Sequence, residues 1–264
     1  MLIGFIGLGN MARAMIGGII DKGVASPDEI MGSARTQETC DKVKREFDIF
    51  TTTDNLKVAT SVDILVLAVK PQMFADVLPG LNGVIKKDAV VVSIAAGKTL
   101  KDISGYFGGG TKIVRLMPNT PAMVGAGITA VTPNENVKKD ELDKVLKMCE
   151  SFGNYEIIPE KNMDAFCAIA GSSPAYAFMY IEALADAGVK AGLPRAQAYR
   201  AAAQSALGSA KLVLDTGKHP GVLKDMVCSP GGTTIEAVQV LEEAGFRAAV
   251  MDAVEACVEK AGRL

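Results

Sequence analysis

Short β-rich runs recur along the first half of the chain: Leu2-Ile3-Gly4-Phe5-Ile6, Glu29 to Gly32, Val62 to Val69, Ala89 to Ala95 and Lys112 to Met117. Stretches of helical spacing lie between them, Met11 to Lys22 and Thr36 to Phe47 being the clearest. The run Val62–Val69 is apolar almost throughout rather than at alternate positions, and it stops at Lys70-Pro71. Continuous apolar strands predict a parallel sheet covered by helices on both faces. The expected architecture is therefore α/β, doubly wound, with right-handed crossovers.

The pattern changes near Pro159-Glu160. From Met163 onward β-branched runs disappear and alanine dominates, as in Ala201-Ala202-Ala203-Gln204-Ser205-Ala206. Four breaks predict the helix ends: Gly171-Ser172-Ser173-Pro174, Gly192-Leu193-Pro194, Gly217-Lys218-His219-Pro220 and Ser229-Pro230-Gly231-Gly232. Pro194 and Pro220 stand where a helix can begin. The expected division is residues 1–160 as the α/β domain and 161–264 as an all-helical domain. About a hundred thin-helix residues make a small core by themselves, so part of this half is expected to bury itself against another subunit.

Composition narrows the function. The chain has 264 residues, 49% hydrophobic and 22% charged, enough to build a core. A net charge of −2 gives no positive field for nucleic acid or an anionic membrane, and no apolar run reaches spanning length. Five scattered cysteines without a CxxC pair, and the single histidine His219, predict no metal site. Free thiols suit a reducing cytoplasm. No leader peptide is expected, because a strand-like run starts at Leu2 with no basic region before it.

The first chemical feature is Gly7-Leu8-Gly9-Asn10-Met11-Ala12, a GxGxxA between the first strand and the first helix. Gly7 allows the tight turn, Gly9 lets backbone approach a pyrophosphate, and Ala12 permits close helix–strand packing. In this context the α/β half is expected to be a Rossmann-type dinucleotide-binding domain; the plain alternative is a glycine turn with no ligand. NAD sites usually carry a carboxylate at the end of the second strand. Here that place reads Met31-Gly32-Ser33-Ala34-Arg35-Thr36, with a hydroxyl and a guanidinium suited to a 2′-phosphate. NADPH is the expected cofactor, with NADH as the alternative; the plain reading of Arg35 is a solvated surface arginine.

Loops after later strands should converge over the nicotinamide. They are Ala68-Val69-Lys70-Pro71, Ala95-Ala96-Gly97 and Met117-Pro118-Asn119-Thr120-Pro121. Lys70 is open to three readings: a catalytic cation, a strand cap or a phosphate contact. Asn119 and Thr120 either line the substrate cavity or bond the backbone of their own turn. In the helical half, Ser229-Pro230-Gly231-Gly232-Thr233-Thr234 exposes backbone N–H groups at a helix start. That is either a nest for a carboxylate with Thr233 and Thr234 as added donors, or a plain Thr cap. His219, beside Pro220, reads as a turn residue.

These motifs, with Gly171-Ser172-Ser173-Pro174-Ala175-Tyr176, resemble in order and spacing the pyrroline-5-carboxylate reductase family over essentially the whole chain. The resemblance implies NAD(P)H-dependent reduction of 1-pyrroline-5-carboxylate to L-proline, and a helical domain that interlocks in a homodimer, with dimers assembled into a decamer. By the family's pattern Ser33, Arg35, Asn55, Ala68 to Pro71 and Ala95 fall in the cofactor site with Gly7 to Ala12. Glu160, Gly232, Thr233 and Thr234 fall at the substrate, with Asn119 a further candidate. Thr234 is the expected hydroxyl near the imine nitrogen. One departure is Met226, where some relatives carry Asn, so a polar cofactor contact there is lost. The nearest rival, a β-hydroxyacid dehydrogenase, uses a lysine that the run Gly171–Phe178 lacks. A non-catalytic dinucleotide-binding protein is the other alternative, and consumption of NADPH separates it from an enzyme.

Overall fold

The computed structural model describes residues 1–263. In chain order the first elements are β1 (Ile3–Ile6), α1 (Asn10–Asp21), β2 (Ile30–Ser33), α2 (Gln37–Phe47), β3 (Phe50–Thr52), α3 (Asn55–Ala59) and β4 (Ile64–Leu67). They are followed by α4 (Phe74–Val77), β5 (Val90–Ser93), α5 (Leu100–Phe107), β6 (Lys112–Met117), β7 (Gly127–Pro133), α6 (Lys139–Glu150) and β8 (Gly153–Ile157). The remainder is helical: α7 (Met163–Phe166), a π-helical turn Cys167–Ser172, then α8 (Ser173–Lys190), α9 (Arg195–Thr216), α10 (Pro220–Val227), α11 (Thr233–Glu243) and α12 (Phe246–Ala261).

The chain divides into two compact units, Met1–Gly171 together with the chain end from Val258, and Ser172–Cys257. In the first, eight strands form one sheet in the order β3-β2-β1-β4-β5-β6-β7-β8. The strands from β3 to β6 are parallel, as the continuous apolar runs predict. The sheet then continues beyond what those runs foretold: β7 lies antiparallel to β6, and β8 parallel to β7. A parallel return needs a crossover of a dozen or more residues. The link 118–126 holds only a 3-10 turn, Thr120–Val124, so β7 comes back antiparallel.

Both sheet faces are covered. On one, Phe5, Val66, Val92, Val114 and Val131 meet Met15, Ile16 and Ile19 of α1 and Val145 of α6. On the other, Ile6, Leu65, Leu67, Val91 and Ile113 meet Val58, Phe74, Leu78 and Ile103. Alternate residues of one strand thus enter opposite layers, where a polar group costs free energy unless it finds a partner. Local chemistry sets the helix starts. Thr36 accepts from Thr39 N–H to open α2, Asp54 accepts from Leu56 N–H to open α3, and Thr99 with Asp102 forms a reciprocal box at α5.

In the second unit the expected breaks at Gly192–Pro194, Gly217–Pro220 and Ser229–Gly232 separate helices. The break expected at Gly171–Pro174 is not one: the π-helical turn leads directly into α8, with Pro174 in its first turn. Proline needs no N–H partner there, so its ring starts a helix instead of ending one. Alanines carry the packing of α8 on α9 through Ala185, Ala198 and Ala202. A Cβ on Gly188 would sit 3.3 Å from that of Ala198, so the small residues set a close approach. Many large apolar side chains of this unit are exposed, among them Phe178, Met179, Leu207, Leu214, Val240 and Met251. Among the described residues no helix is long and apolar enough to cross a membrane.

Candidate active site

Strand order reverses direction between β1 and β4, the place where doubly wound sheets open a crevice at the carboxyl ends of their strands. Gly7 turns the chain there with φ +99°, and its N–H donates to Ser33 O at 2.9 Å. A Cβ on it would lie 2.8 Å from Ala68 O, so both conformation and space demand glycine. Gly9 is the N-cap of α1, and nothing stands within 4 Å of where its Cβ would be. No side chain caps α1, and its first turn holds no carboxylate. Asn10, Met11 and Ala12 open the helix behind that gap, with Ala12 buried and Leu8 packed under Gly32. An uncapped helix N-terminus facing open space is a seat for an anion. The residues fit the pyrophosphate of a dinucleotide.

At the end of β2, Ser33 is fully buried and donates to Asn55 Oδ1 at 2.7 Å. Its hydroxyl thus holds Asn55 in place. Arg35, two residues on, is exposed, with no ion pair among the described residues. After β4, Ala68 N–H donates to Ile6 O at 2.8 Å, Val69 is half-buried, and Lys70 is exposed in extended backbone ahead of Pro71. After β5, Ala95 is buried and its N–H reaches Ser93 Oγ at 3.3 Å. The structure thus brings Gly7, Ser33, Asn55, Ala68 and Ala95 to the side of the sheet where the parallel strands have their carboxyl ends.

Two expected substrate residues prove to be tied internally. Asn119 is buried; its Nδ2 donates to Ala170 O at 3.0 Å and its Oδ1 accepts from Ile128 N–H at 2.9 Å. Its side chain makes neither bond within its own turn, whose link comes from Ala122 N–H donating to Asn119 O at 3.1 Å. Ala170 is the residue four before Pro174, so Asn119 supplies the donor that the proline cannot. Glu160 Oε1 accepts from Leu100 N–H at 2.7 Å and from Arg115 Nη1 at 3.1 Å. Sequence reasoning missed Arg115 altogether, because one arginine inside a strand-like run carries no motif.

In the second unit, Gly231 adopts φ +65°, Gly232 N–H donates to Ser229 O, and Gly232 rather than a threonine is the N-cap of α11. No side chain caps this helix, so the plain Thr-cap arrangement is not formed. Thr233 is exposed and Thr234 half-buried, at the first two positions of α11. His219 does behave as a turn residue: it caps α10, its Nδ1 accepting from Gly221 N–H at 3.0 Å. Of the cysteines, Cys149 is pushed up to about 12 by burial, which keeps it an inert thiol. Among the described residues no cluster of His, Cys, Asp and Glu could hold a metal ion.

A doubly wound sheet with an open, uncapped glycine turn, followed by an all-helical unit, defines the class: a dinucleotide-dependent oxidoreductase fold. Residues 160–264 match the family model "Pyrroline-5-carboxylate reductase dimerisation", and residues 2–97 match "NADP oxidoreductase coenzyme F420-dependent". The pyrroline-5-carboxylate reductase of Escherichia coli (strain K12) is 50% identical over 99% of this chain and 97% of its own length. The solved structure of the Coxiella burnetii pyrroline-5-carboxylate reductase superposes with TM-score 0.92 at 36% identity, covering 99% of this chain and 97% of that one. That of Plasmodium falciparum pyrroline carboxylate reductase, with NADP bound, superposes with TM-score 0.90 at 33% identity, covering 99% and 97%. The chain belongs to the pyrroline-5-carboxylate reductase family.

Proposed function

We propose that this protein reduces 1-pyrroline-5-carboxylate to L-proline, the last step of proline biosynthesis, with NADPH as the preferred reductant and NADH as the alternative. The nicotinamide, when bound, supplies the hydride that the C=N carbon accepts. The chain's own work is to hold that carbon in place, fix the substrate carboxylate and shed water, so positioning supplies much of the rate. The observation that carries the reading is the uncapped start of α1 behind Gly7 and Gly9, with exposed Arg35 where an NAD site would carry a carboxylate.

In this reading residues 1–160 bind nucleotide and 161–264 bind substrate and dimerise. N–H groups of Gly7 to Ala12 hold the pyrophosphate, Arg35 takes the 2′-phosphate, and Asn55, set by Ser33, takes the adenosine side. Ala68, Val69, Pro71 and Ala95 shape the nicotinamide end, and Lys70, with its ammonium free, reaches a phosphate. The Gly232 to Thr234 turn holds the substrate carboxylate through N–H groups, and the Thr234 hydroxyl meets the ring nitrogen. Asn119 shapes the substrate side through the backbone it bonds. The active form is a homodimer, with dimers assembling into a decamer, in the cytoplasm, where its thiols stay reduced.

Following NADPH oxidation on addition of pyrroline-5-carboxylate tests the reading, with proline identified as product. Tight NADPH binding without consumption would favour a non-catalytic nucleotide-binding protein. Oxidation of a β-hydroxyacid, with no action on the imine, would favour the dehydrogenase alternative.

A further inference from the structure

Arg115 is 3% exposed on the interior strand β6, in line with Ile113, where the neighbouring layer is apolar. Its ion-pair partner is Glu160, 32% exposed, and its Nε has no hydrogen-bond partner at all. A buried charge held this sparsely is a poor stabilising device, since apolar groups of similar size usually serve a core as well or better. Its geometry has another use. Glu160 Oε1 accepts both Arg115 Nη1 and the N–H of Leu100, the first residue of α5. Upstream of Leu100 lies the loop Ala95–Thr99, whose other end is tied by Ala95 N–H to Ser93 Oγ, and which turns at Gly97 with φ +71°. Downstream of Arg115, β6 ends at Met117, where the Pro118–Pro121 loop begins. The segment carrying Glu160 is itself fixed to the sheet, Ile158 O accepting from Thr132 Oγ1 at 2.7 Å and Ile158 N–H donating to Val131 O. One carboxylate oxygen thus ties the start of α5, next after the β5 loop, to a side chain two residues before the β6 loop.

We propose that Glu160 is a positioning residue, anchored by buried Arg115, that fixes the Ala95–Thr99 and Pro118–Pro121 loops at the nicotinamide end of the site. This rests on the reductase reading of those loops. It gives Glu160 a task other than direct contact with substrate, which the family resemblance suggested. It also accounts for a charged side chain in an apolar layer, kept for placement and not for stability.

The test compares Glu160→Gln, Glu160→Asp and the double variant Arg115→Met/Glu160→Gln. It reads Tm without nucleotide, NADPH Kd, kcat and KM for the imine, and hydrogen exchange at Ala95 to Lys98. Glu160→Gln takes away Arg115's ion-pair partner, leaving only the weaker pull of the Asp102 carboxylate, and should lower Tm. The double variant should recover Tm to the wild-type value or above. Its kcat should stay depressed about ten- to a hundredfold, as a small misplacement at the reacting centre gives, while KM and NADPH Kd move much less and the loop exchanges faster. Recovery of kcat together with Tm would overturn the proposal, leaving the pair a purely structural one. A rise in KM alone with unchanged exchange would also overturn it, in favour of a substrate contact. If the double variant does not fold, Glu160→Asp decides, since it keeps the charge beside Arg115 but draws back from Leu100: faster loop exchange supports the proposal, and wild-type exchange overturns it. A wild-type protein inactive on the imine would count against the reductase function instead, and the exchange measurement, which needs no substrate, would still decide this one.

Discussion

Arg35 stands two residues past Ser33 with its guanidinium unpaired, and it makes the sharpest test of cofactor choice. In the proposed reading Arg35→Ala removes a charge-assisted contact to the 2′-phosphate, a group that NADH does not have. Such contacts are worth about 1.5–3 kcal/mol, so NADPH affinity should fall roughly tenfold or more while NADH affinity hardly changes. Equal losses in titrations with both nucleotides would place Arg35 outside the site. Thr234 makes the corresponding test at the other end. Among the described residues no side chain caps α11, and Gly232, not a threonine, stands at its cap position, so Thr234→Val keeps the turn. Turnover should drop by about 1–3 kcal/mol in transition-state stabilisation, with NADPH affinity unchanged and proline still a competitive inhibitor through the backbone nest. Wild-type kinetics in that variant would return α11 to a plain helix start. What a single sequence makes legible is a residue whose type is forced by backbone geometry. Gly7 is the example, since its positive φ and the nearby Ala68 carbonyl leave no other choice. Residues whose role depends on a distant partner, such as Ser33 beneath Asn55 or Arg115 beside Glu160, are silent in a single sequence.

At the scale of elements, the same contrast separates β4 from β7. Ile64–Leu67 is legible because a strand buried on both faces must be apolar throughout. Gly127–Pro133 mixes Thr with Ile, Ala and Val, and its place depends on the short link after β6 rather than on any pattern of its own. The helix through Pro174 was hidden for a related reason. Proline and glycine signal a break only if the orphaned carbonyl finds no other donor, and here Asn119 reaches Ala170 O from another part of the chain. Asn119→Ala strips that donor and also the acceptor of Ile128 N–H. Losing buried partners of this kind costs about 1–3 kcal/mol each, so denaturant unfolding should show a lower midpoint with unchanged slope. An unaltered midpoint together with lost turnover would mean that Asn119 meets substrate directly.

The whole molecule poses a question of surface. The unit Ser172–Cys257 packs α8 and α9 on alanines and leaves Met179 at 69%, Leu214 at 76% and Met251 at 71% exposure. Single exposed apolar residues are ordinary. Here they recur on α8, α9, α11 and α12 of one small unit, and the part of the chain that carries them matches a dimerisation family model. Burying such side chains returns roughly 25 cal/mol per Å² of apolar area removed from water, and a stable dimer typically buries 1,200–2,000 Å² in total. The full-length protein should therefore scatter light as a dimer or a larger closed assembly, and its Tm should rise with protein concentration, as mass action requires. A charge placed on the exposed apolar surface, as in Leu214→Glu or Met251→Glu, should shift the equilibrium toward monomer. Activity should fall in step with assembly if the helical unit of one chain supports the site of another. A fully active monomer at micromolar concentration would dismiss the shared core, and the exposed leucines and methionines would then need another cover.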